Sequence, residues 1–248
     1  MSSRPVVLVT GSATGVGRAT AVRFAREGFD VVVNYSRSQA EAEETFRLVQ
    51  EAGGKALLIA ADVSDAAAVD AMFQQVEQEF GKLDVLVNNA GTTFFVPHSE
   101  LDQMTHEKWD RILDVNVKAP FFVTRAAVPL LRKGQQAAVV NVSSVAGLNG
   151  MGSSIAYCAS KGALNTLTKS LARVLAPNIR VNAVCPGPID TRWLQSWMSR
   201  EQIDGLVAQY PIPRAAEPDD IADTIFYLSR GTTLTTGQLL TVDGGRTM

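Results

Sequence analysis

Three side chains in one stretch could act together on a single substrate carbonyl: a hydroxyl from Ser143-Ser144, the phenol of Tyr157 and the ammonium of Lys161. Tyr157 and Lys161 are one helical turn apart, so on a helix they share a face. An ammonium in that place favours phenolate, and is expected to draw the tyrosine below its ordinary pKa of about 10 so that it trades a proton near neutral pH. Neighbours on a strand point to opposite faces, so one of the two serines can join the pair, and alternation alone does not say which. The pair is weak by itself: four Tyr and seven Lys in 248 residues give a Tyr-x-x-x-Lys about 0.1 times by chance. Its meaning depends on what the rest of the chain brings to it.

Val6-Val7-Leu8-Val9 reads as a strand buried on both faces, and it runs into Thr10-Gly11-Ser12-Ala13-Thr14-Gly15-Val16-Gly17. A helical pattern follows from Arg18 to about Gly28. In a strand, glycine turn and helix, the backbone can approach a pyrophosphate while helix N-terminal amides face its charge. The spacing is G-x-x-x-G-x-G, distinct from the G-x-G-x-x-G of many dinucleotide folds. Further strands are expected at Asp30–Tyr35, Ala56–Ala60, Leu83–Val87, Ala137–Val142, Ile179–Val184 and Gln238–Val242. Helices are expected at about Gln39–Ala52, Asp65–Phe80, Glu107–Arg132, Ile155–Leu175 and Pro218–Ser229, with Pro120 and Pro129 bending or shortening the third of these. About seven strands alternating with helices, without repeat or linker, predict a single Rossmann-type α/β domain over 1–248 with a doubly wound parallel sheet. Ligands in such sheets sit outside the carboxyl ends of the strands, where the glycine turn, Asp62, Asn88–Gly91, Ser144 and Pro186-Gly187 all fall.

A net charge of −2 with mixed signs along the chain gives no footprint for nucleic acid or an anionic membrane. Two Cys without C-x-x-C spacing and two His, His98 and His106, argue against a disulfide framework or a metal site. No apolar run approaches the roughly 18 residues of a membrane span, and Met1-Ser2-Ser3-Arg4 leads into a strand rather than a signal peptide. A cytoplasmic protein acting on a small molecule, or assembling with its own copies, is expected.

Thr10-Gly11-x-x-x-Gly15-x-Gly17, Asn88-Asn89-Ala90-Gly91, Asn116, Ser144, Tyr157-x-x-x-Lys161, Pro186-Gly187 and the closing Thr236-Gly237 and Val242-Asp243-Gly244-Gly245 together resemble the short-chain dehydrogenases/reductases over nearly the whole chain. The resemblance implies Tyr157 as general acid in carbonyl reduction and base in alcohol oxidation, with Ser144 hydrogen-bonding the carbonyl oxygen. The family's separation of thirteen residues from the tyrosine selects Ser144 over Ser143. Lys161 would lower the Tyr157 pKa and bind the nicotinamide ribose, and Asn116 would hold the water through which a proton reaches Lys161. A dinucleotide would be held by Gly11, Ser12, Thr14, Gly15, Val16 and Gly17, by Asn34, Tyr35, Ser36 and Arg37, and by Asp62 and Val63. Asn89, Ala90, Gly91, Tyr157, Lys161, Pro186, Gly187, Ile189 and Thr191 would complete its site. Without the family, Asp62 reads as a helix cap or turn residue and Asn116 as a satisfied polar residue in a bent helix.

An acid at the end of the second strand would hydrogen-bond the ribose of NAD and repel a 2′-phosphate, but Asn34-Tyr35-Ser36-Arg37 contains none and Arg37 could pair with that phosphate. NADP(H) is therefore expected, with NAD(H) the alternative because Thr14 stands where many NADP-using relatives have Arg. The chain resembles most the 3-oxoacyl-carrier-protein reductases and broad carbonyl reductases, which implies a carbonyl or secondary alcohol substrate, with a 3-oxoacyl thioester one candidate. An acyl carrier protein would dock at a basic entrance, for which Arg125, Arg132, Lys133 and Arg173 are candidates. Thr92–His98, Leu148–Ser153 and a lid at about 187–215 should form the substrate pocket. Trp193, Leu194, Trp197 and Met198 make the apolar side of a short helix there, facing substrate, core or another subunit. Cys158 and Cys185 read as small buried residues, a redox switch being the minor alternative. The Asn178-Ile179-Arg180 approach to the sixth strand is one residue shorter than the usual family form. The family also implies a homotetramer. The competing functions are an NAD-preferring sugar, polyol or hydroxysteroid dehydrogenase and a non-catalytic nucleotide-binding redox sensor.

Overall fold

Consecutive apolar residues in the strands are explained by burial on both faces: Val6 and Leu8 join one apolar layer, Val7 and Val9 the other. The computed structural model describes residues 4–248, so Met1 to Ser3, over which no leader is expected, lie outside the described residues. The elements are β1 (Val6–Val9), α1 (Gly15–Arg26), β2 (Asp30–Tyr35), α2 (Gln39–Glu51), β3 (Ala56–Ala60), α3 (Ala66–Phe80) and β4 (Val85–Asn88). Then follow α4 (His106–Leu113), α5 (Ala119–Leu131), β5 (Ala138–Val142), α6 (Ala146–Asn149), α7 (Ile155–Leu175) and β6 (Arg180–Pro186). The chain closes with α8 (Arg192–Gln195), α9 (Arg200–Val207), α10 (Pro218–Phe226) and β7 (Leu239–Val242). The seven strands form one parallel sheet in the order β3-β2-β1-β4-β5-β6-β7.

One face of the sheet packs on Met72, Phe73, Val76 and Phe80 of α3, Val123 and Leu130 of α5 and Leu171 of α7. The opposite face packs on Phe24 of α1, Val49 of α2 and Ile221 and Ile225 of α10. Phe24 meets Phe29 and Phe226 edge to face, with ring centroids 4.9 and 5.2 Å away. At the amino ends of the strands the buried Asp84 accepts from the backbone N–H groups of Val6 at 2.8 Å and Gln135 at 2.7 Å, tying β1 to the turn before β5.

Several boundaries differ from the apolar pattern for local reasons. α1 begins at Gly15 rather than Arg18, because the glycine turn itself supplies its first residues. The break in the long helical region falls on a wide π turn, Asp114–Lys118, and not at a proline. Pro120 sits in the first turn of α5, where its missing N–H leaves no bond unmade, while Pro129 lies within that helix. β6 continues to Pro186, whose carbonyl accepts from Val145 N at 3.0 Å, so the strand delivers Gly187 directly to the crevice. The short approach to β6 is closed by Ile179 N donating to Leu175 O at 3.0 Å. Among the described residues no helix is long and apolar enough to cross a membrane.

Candidate active site

The strand order reverses between β1 and β4, and the loops leaving those strands press together there. A Cβ built on Gly11 would lie 2.9 Å from Ala90 Cα. A cleft of about 1650 Å³ opens beyond the carboxyl ends of the strands at this switch point. Ordinary small-molecule pockets measure roughly 300–1,000 Å³, so a dinucleotide and a substrate fit side by side.

The residues of the cleft suit a dinucleotide. A Cβ at Gly17 would stand 2.5 Å from Gly11 O and 2.6 Å from Asn89 Nδ2, so only glycine permits the turn to close under α1. Thr14 makes no side-chain cap and the first turn of α1 carries no acid, leaving its amides and positive dipole end available to a pyrophosphate. Arg18 fixes the loop from behind, donating to Ala13 O, Glu41 O and Thr45 Oγ1. Gly11, Thr14, Gly15, Val16, Gly17, Tyr35, Ser36, Arg37, Asp62, Val63, Asn89, Ala90, Gly91, Pro186, Gly187, Ile189 and Thr191 all line the cleft.

Two expected cofactor contacts have other work. Ser12 is buried and does not line the cleft; its hydroxyl accepts from Asn34 N at 3.0 Å. Asn34 reaches the cleft wall, but its amide is spent on Gly11 N at 3.1 Å and Ala61 O at 3.0 Å, stitching the glycine turn to the end of β3. Asp62 is at once a turn residue and a cleft residue: it accepts from Ser64 N at 2.9 Å and pairs with Arg111 at 3.1 Å. Burial works to raise its pKa, but the Ser64 and Arg111 hydrogen bonds outweigh that and hold the carboxyl below its usual range. Arg111 belongs to the site although no local motif marks it, because its partner is 49 residues away. Arg37 is exposed on the cleft, and its side chain makes no hydrogen bond or ion pair with the described residues.

The reactive trio is set by β5 and α7. Ser154 caps α7 by accepting from Tyr157 N at 3.2 Å, and the next turn brings Lys161 beneath the tyrosine, its Nζ 5.6 Å from the ring centroid. Lys161 is 5% exposed and donates to Val142 O at 2.8 Å. The serines part as alternation requires: Ser143 is buried and donates to Asn165 Oδ1 at 2.6 Å, whereas Ser144 is half-buried and lines the cleft together with Tyr157. Ala146 N donates to Ser144 Oγ at 3.1 Å, which aims the hydroxyl.

The expected lowering of the Tyr157 pKa is not found. Burial pushes the phenol up to about 12, only partly offset by the Ser144 hydroxyl, and burial pushes Lys161 down to about 8. For each group desolvation outweighs what its neighbours contribute. At neutral pH the site therefore holds a neutral phenol above a mostly protonated lysine, a proton donor rather than a base.

Asn116 sits in the π turn and does not line the cleft. Its amide donates to Thr92 O at 2.9 Å and Ser160 Oγ at 3.0 Å, and its Oδ1 accepts from Thr92 N at 2.9 Å. One lone pair of Oδ1 remains, facing a gap kept open by Gly91: a Cβ there would lie 3.5 Å from Asn116 Oδ1 and 3.8 Å from Lys161 Nζ. These are ordinary contact distances, so Gly91→Ala should fold with little loss of stability while its methyl obstructs the passage between Asn116 and Lys161. A fall in kcat of roughly tenfold or more with an unchanged melting temperature is expected, and an unchanged kcat would show that no proton uses this gap.

On the substrate side Thr92, the run 94–98 and the run 151–153 line the cleft, opposite Trp193, Leu194, Trp197, Met198 and Leu206. α8 is a single turn, and it places Trp193 edge to face with Tyr157 at 6.4 Å. Trp197 stacks on Phe95 at 3.5 Å, joining the segment after β6 to the loop after β4. Arg125, Arg132, Lys133 and Arg173 do not line the cleft; Arg125 lies over the Phe122 ring and Lys133 pairs with Glu77. Its arginines are Arg18, Arg37, Arg111, Arg192 and Arg246. Cys158 and Cys185 are both buried, and no group of three or more metal-ligating side chains occurs among the described residues.

Residues 11–247 match the family described as enoyl-(acyl carrier protein) reductase. The chain is 39% identical over 243 residues to the Staphylococcus aureus 3-oxoacyl-[acyl-carrier-protein] reductase FabG, covering 97% of each chain. A granaticin polyketide synthase protein of Streptomyces violaceoruber, named for ketoacyl reduction, is 43% identical over 242 residues, 97% of this chain and 95% of that one. Among solved structures, a short-chain dehydrogenase/reductase from Serratia marcescens superposes with a TM-score of 0.90 at 35% identity, covering 98% of both chains.

Proposed function

The chain belongs to the short-chain dehydrogenase/reductase family, an oxidoreductase family that uses a nicotinamide cofactor, and from that premise we propose that it reduces a ketone to a secondary alcohol with NADPH. The observation that carries this reading is the neutral, half-buried phenol of Tyr157 on the wall of the cleft that Ser144 and Lys161 also line. When bound, the nicotinamide supplies the hydride to the carbonyl carbon. Ser144 and Tyr157 donate to the carbonyl oxygen as negative charge develops on it, and Tyr157 gives up its proton there. Lys161, charged below about pH 8, stabilises the phenolate that this leaves, and the gap beside Gly91 and Asn116 is the route by which the proton is replaced.

NADPH is favoured over NADH by Arg37, a guanidinium on the cleft without a partner among the described residues, in a strand end that carries no carboxylate. A charge-assisted hydrogen bond contributes about 1.5–3 kcal/mol, or roughly tenfold to a hundredfold. Arg37→Asp should therefore lower kcat/KM with NADPH at least about tenfold while changing the NADH value less than about threefold. Wild-type enzyme that works tenfold better with NADH would overturn the choice.

The aromatic wall of Phe95, Trp193 and Trp197 supports a substrate with an apolar portion, and supports it over sugars or polyols. The segment at about 187–215 acts as the lid that excludes water. A 3-oxoacyl thioester fits this description, and an acyl carrier protein would then present it at the mouth beside Arg192 rather than at Arg125 or Arg173. Exposed Phe121 and Phe122 on α5 and Ile155 on α7 support assembly of copies into a homotetramer. The intact Ser144, Tyr157 and Lys161 set argues for turnover rather than nucleotide sensing alone, and the free thiols support a cytoplasmic setting.

A further inference from the structure

The five arginines of the cleft differ in what holds them. Arg18 is bound by backbone carbonyls and Thr45, Arg111 by Asp62 and Ser64, and Arg192 by Glu41 at 3.1 Å. The guanidinium groups of Arg37 and Arg246 have no hydrogen bond or ion pair among the described residues. Arg37 belongs to the adenosine end of the cleft. Arg246 is on the tail after β7, and it is only half exposed.

Its position is built. Its guanidinium carbon lies 5.7 Å from the centroid of the Tyr210 ring, and the Arg246 backbone N–H donates to Asp243 O at 3.3 Å. Gly245 takes a left-handed conformation with φ +85° against Pro211, and Ile212 N donates to Gly244 O at 2.9 Å, clipping the tail to the turn after α9. The neighbouring acid cannot neutralise it in place of a ligand: the Asp243 carboxylate is bound by Gly245 N at 2.9 Å, Thr247 N at 3.0 Å and Thr247 Oγ1 at 2.7 Å. A half-buried arginine whose guanidinium has no counter-ion among the described residues, lining the same cleft as Trp197, Met198 and Leu206, suits an anionic oxygen group more than another apolar one.

We propose that Arg246 binds a carboxylate or phosphate-ester group carried by the carbonyl substrate at a distance from the reacting carbon, and so sets substrate choice. This rests on the carbonyl-reductase reading of the cleft. The two sources share anionic oxygens matched to a guanidinium fork, and separate arms of one experiment tell them apart.

Ketones bearing a carboxylate at increasing distances from the carbonyl are each compared with their methyl esters, and ketones bearing a phosphate monoester with the parent alcohols. At one spacing the charged member should show at least about tenfold higher kcat/KM, and the arm in which this occurs identifies the anion. Arg246→Gln should remove that preference while leaving the neutral partner within about twofold, Arg246→Met should do the same with the stem packing kept, and Arg246→Lys should retain part of it. Equal rates for charged and neutral members at every spacing, or a preference that survives both neutral variants, would overturn the proposal. If no ketone is reduced, the carbonyl reading fails instead. The same pairs titrated against the fluorescence of Trp193 and Trp197 then decide the anion site: saturable binding of a charged member, lost in Arg246→Met, supports it, and no binding refutes it.

Discussion

Tyr157→Phe is expected to lower turnover by at least about 10³-fold while dinucleotide affinity stays within about threefold of wild type. General acid catalysis by a positioned side chain contributes about 10²–10⁴-fold, and loss of the phenol also removes one of the two donors aimed at the developing oxyanion. The change leaves the scaffold alone. Phenylalanine keeps the edge-to-face contact with Trp193, Ser154 still caps α7, and Ser144 stays aimed by Ala146 N. Calorimetric titration of NADPH separates binding from chemistry; near-wild-type turnover in this variant would remove the proton-transfer role assigned to Tyr157.

Lys161→Met should abolish most activity and yet stabilise the fold. The ammonium is 5% exposed and its described hydrogen bond goes to Val142 O, so the folded chain carries a buried charge with little to offset its desolvation. The difference between the ordinary 10.5 and about 8 corresponds to about 3 kcal/mol of destabilisation. That penalty is fully present below about pH 8, where folded and unfolded chains are both charged, and it fades between about 8 and 10.5 as the unfolded chain alone remains protonated. Methionine matches the stem without the charge. Its melting temperature should exceed wild type by several degrees at pH 7, with the advantage shrinking as pH approaches 10.5. Wild-type reduction should correspondingly decline above about pH 8, as Lys161 loses the proton that stabilises the phenolate. An equal or lower melting temperature for Lys161→Met at pH 7 would contradict the buried-charge account. A stabilised but inactive variant is the usual signature of a site that trades stability for function.

The parts of this molecule that were legible from sequence are those whose causes are local. Val6–Val9 announces itself as a strand because covering both faces demands apolar residues in succession, and Tyr157 and Lys161 share a face by helical period alone. Glycine spacing exposed the turn at Gly11–Gly17 because a Cβ at Gly17 has nowhere to go. The rest depends on residues distant in the chain. Alternation could not choose between Ser143 and Ser144; the choice is made in space by Asn165, which claims Ser143. Asn34 looked like a ribose ligand by position, but the approach of β3 takes its amide. Arg111 and Arg246 carry no local signal, since each enters the cleft from an element remote from its neighbours there. The direction of the Tyr157 shift is hidden from sequence because spacing reveals the nearby charge and not the desolvation, which is the larger effect.

The central claim is that this cleft transfers a hydride between a nicotinamide and a carbonyl, with the proton supplied by Tyr157. It is tested most directly by incubating the enzyme with NADPH deuterated at the transferring position of the nicotinamide, together with an apolar 3-oxo thioester and its α,β-unsaturated counterpart, and reading the products by mass spectrometry. The account predicts one deuterium on the carbinol carbon of a 3-hydroxy product, of a single handedness, lost in Tyr157→Phe. An unlabelled product, deuterium at the former double bond in place of the carbinol carbon, or full labelling by Tyr157→Phe would contradict it.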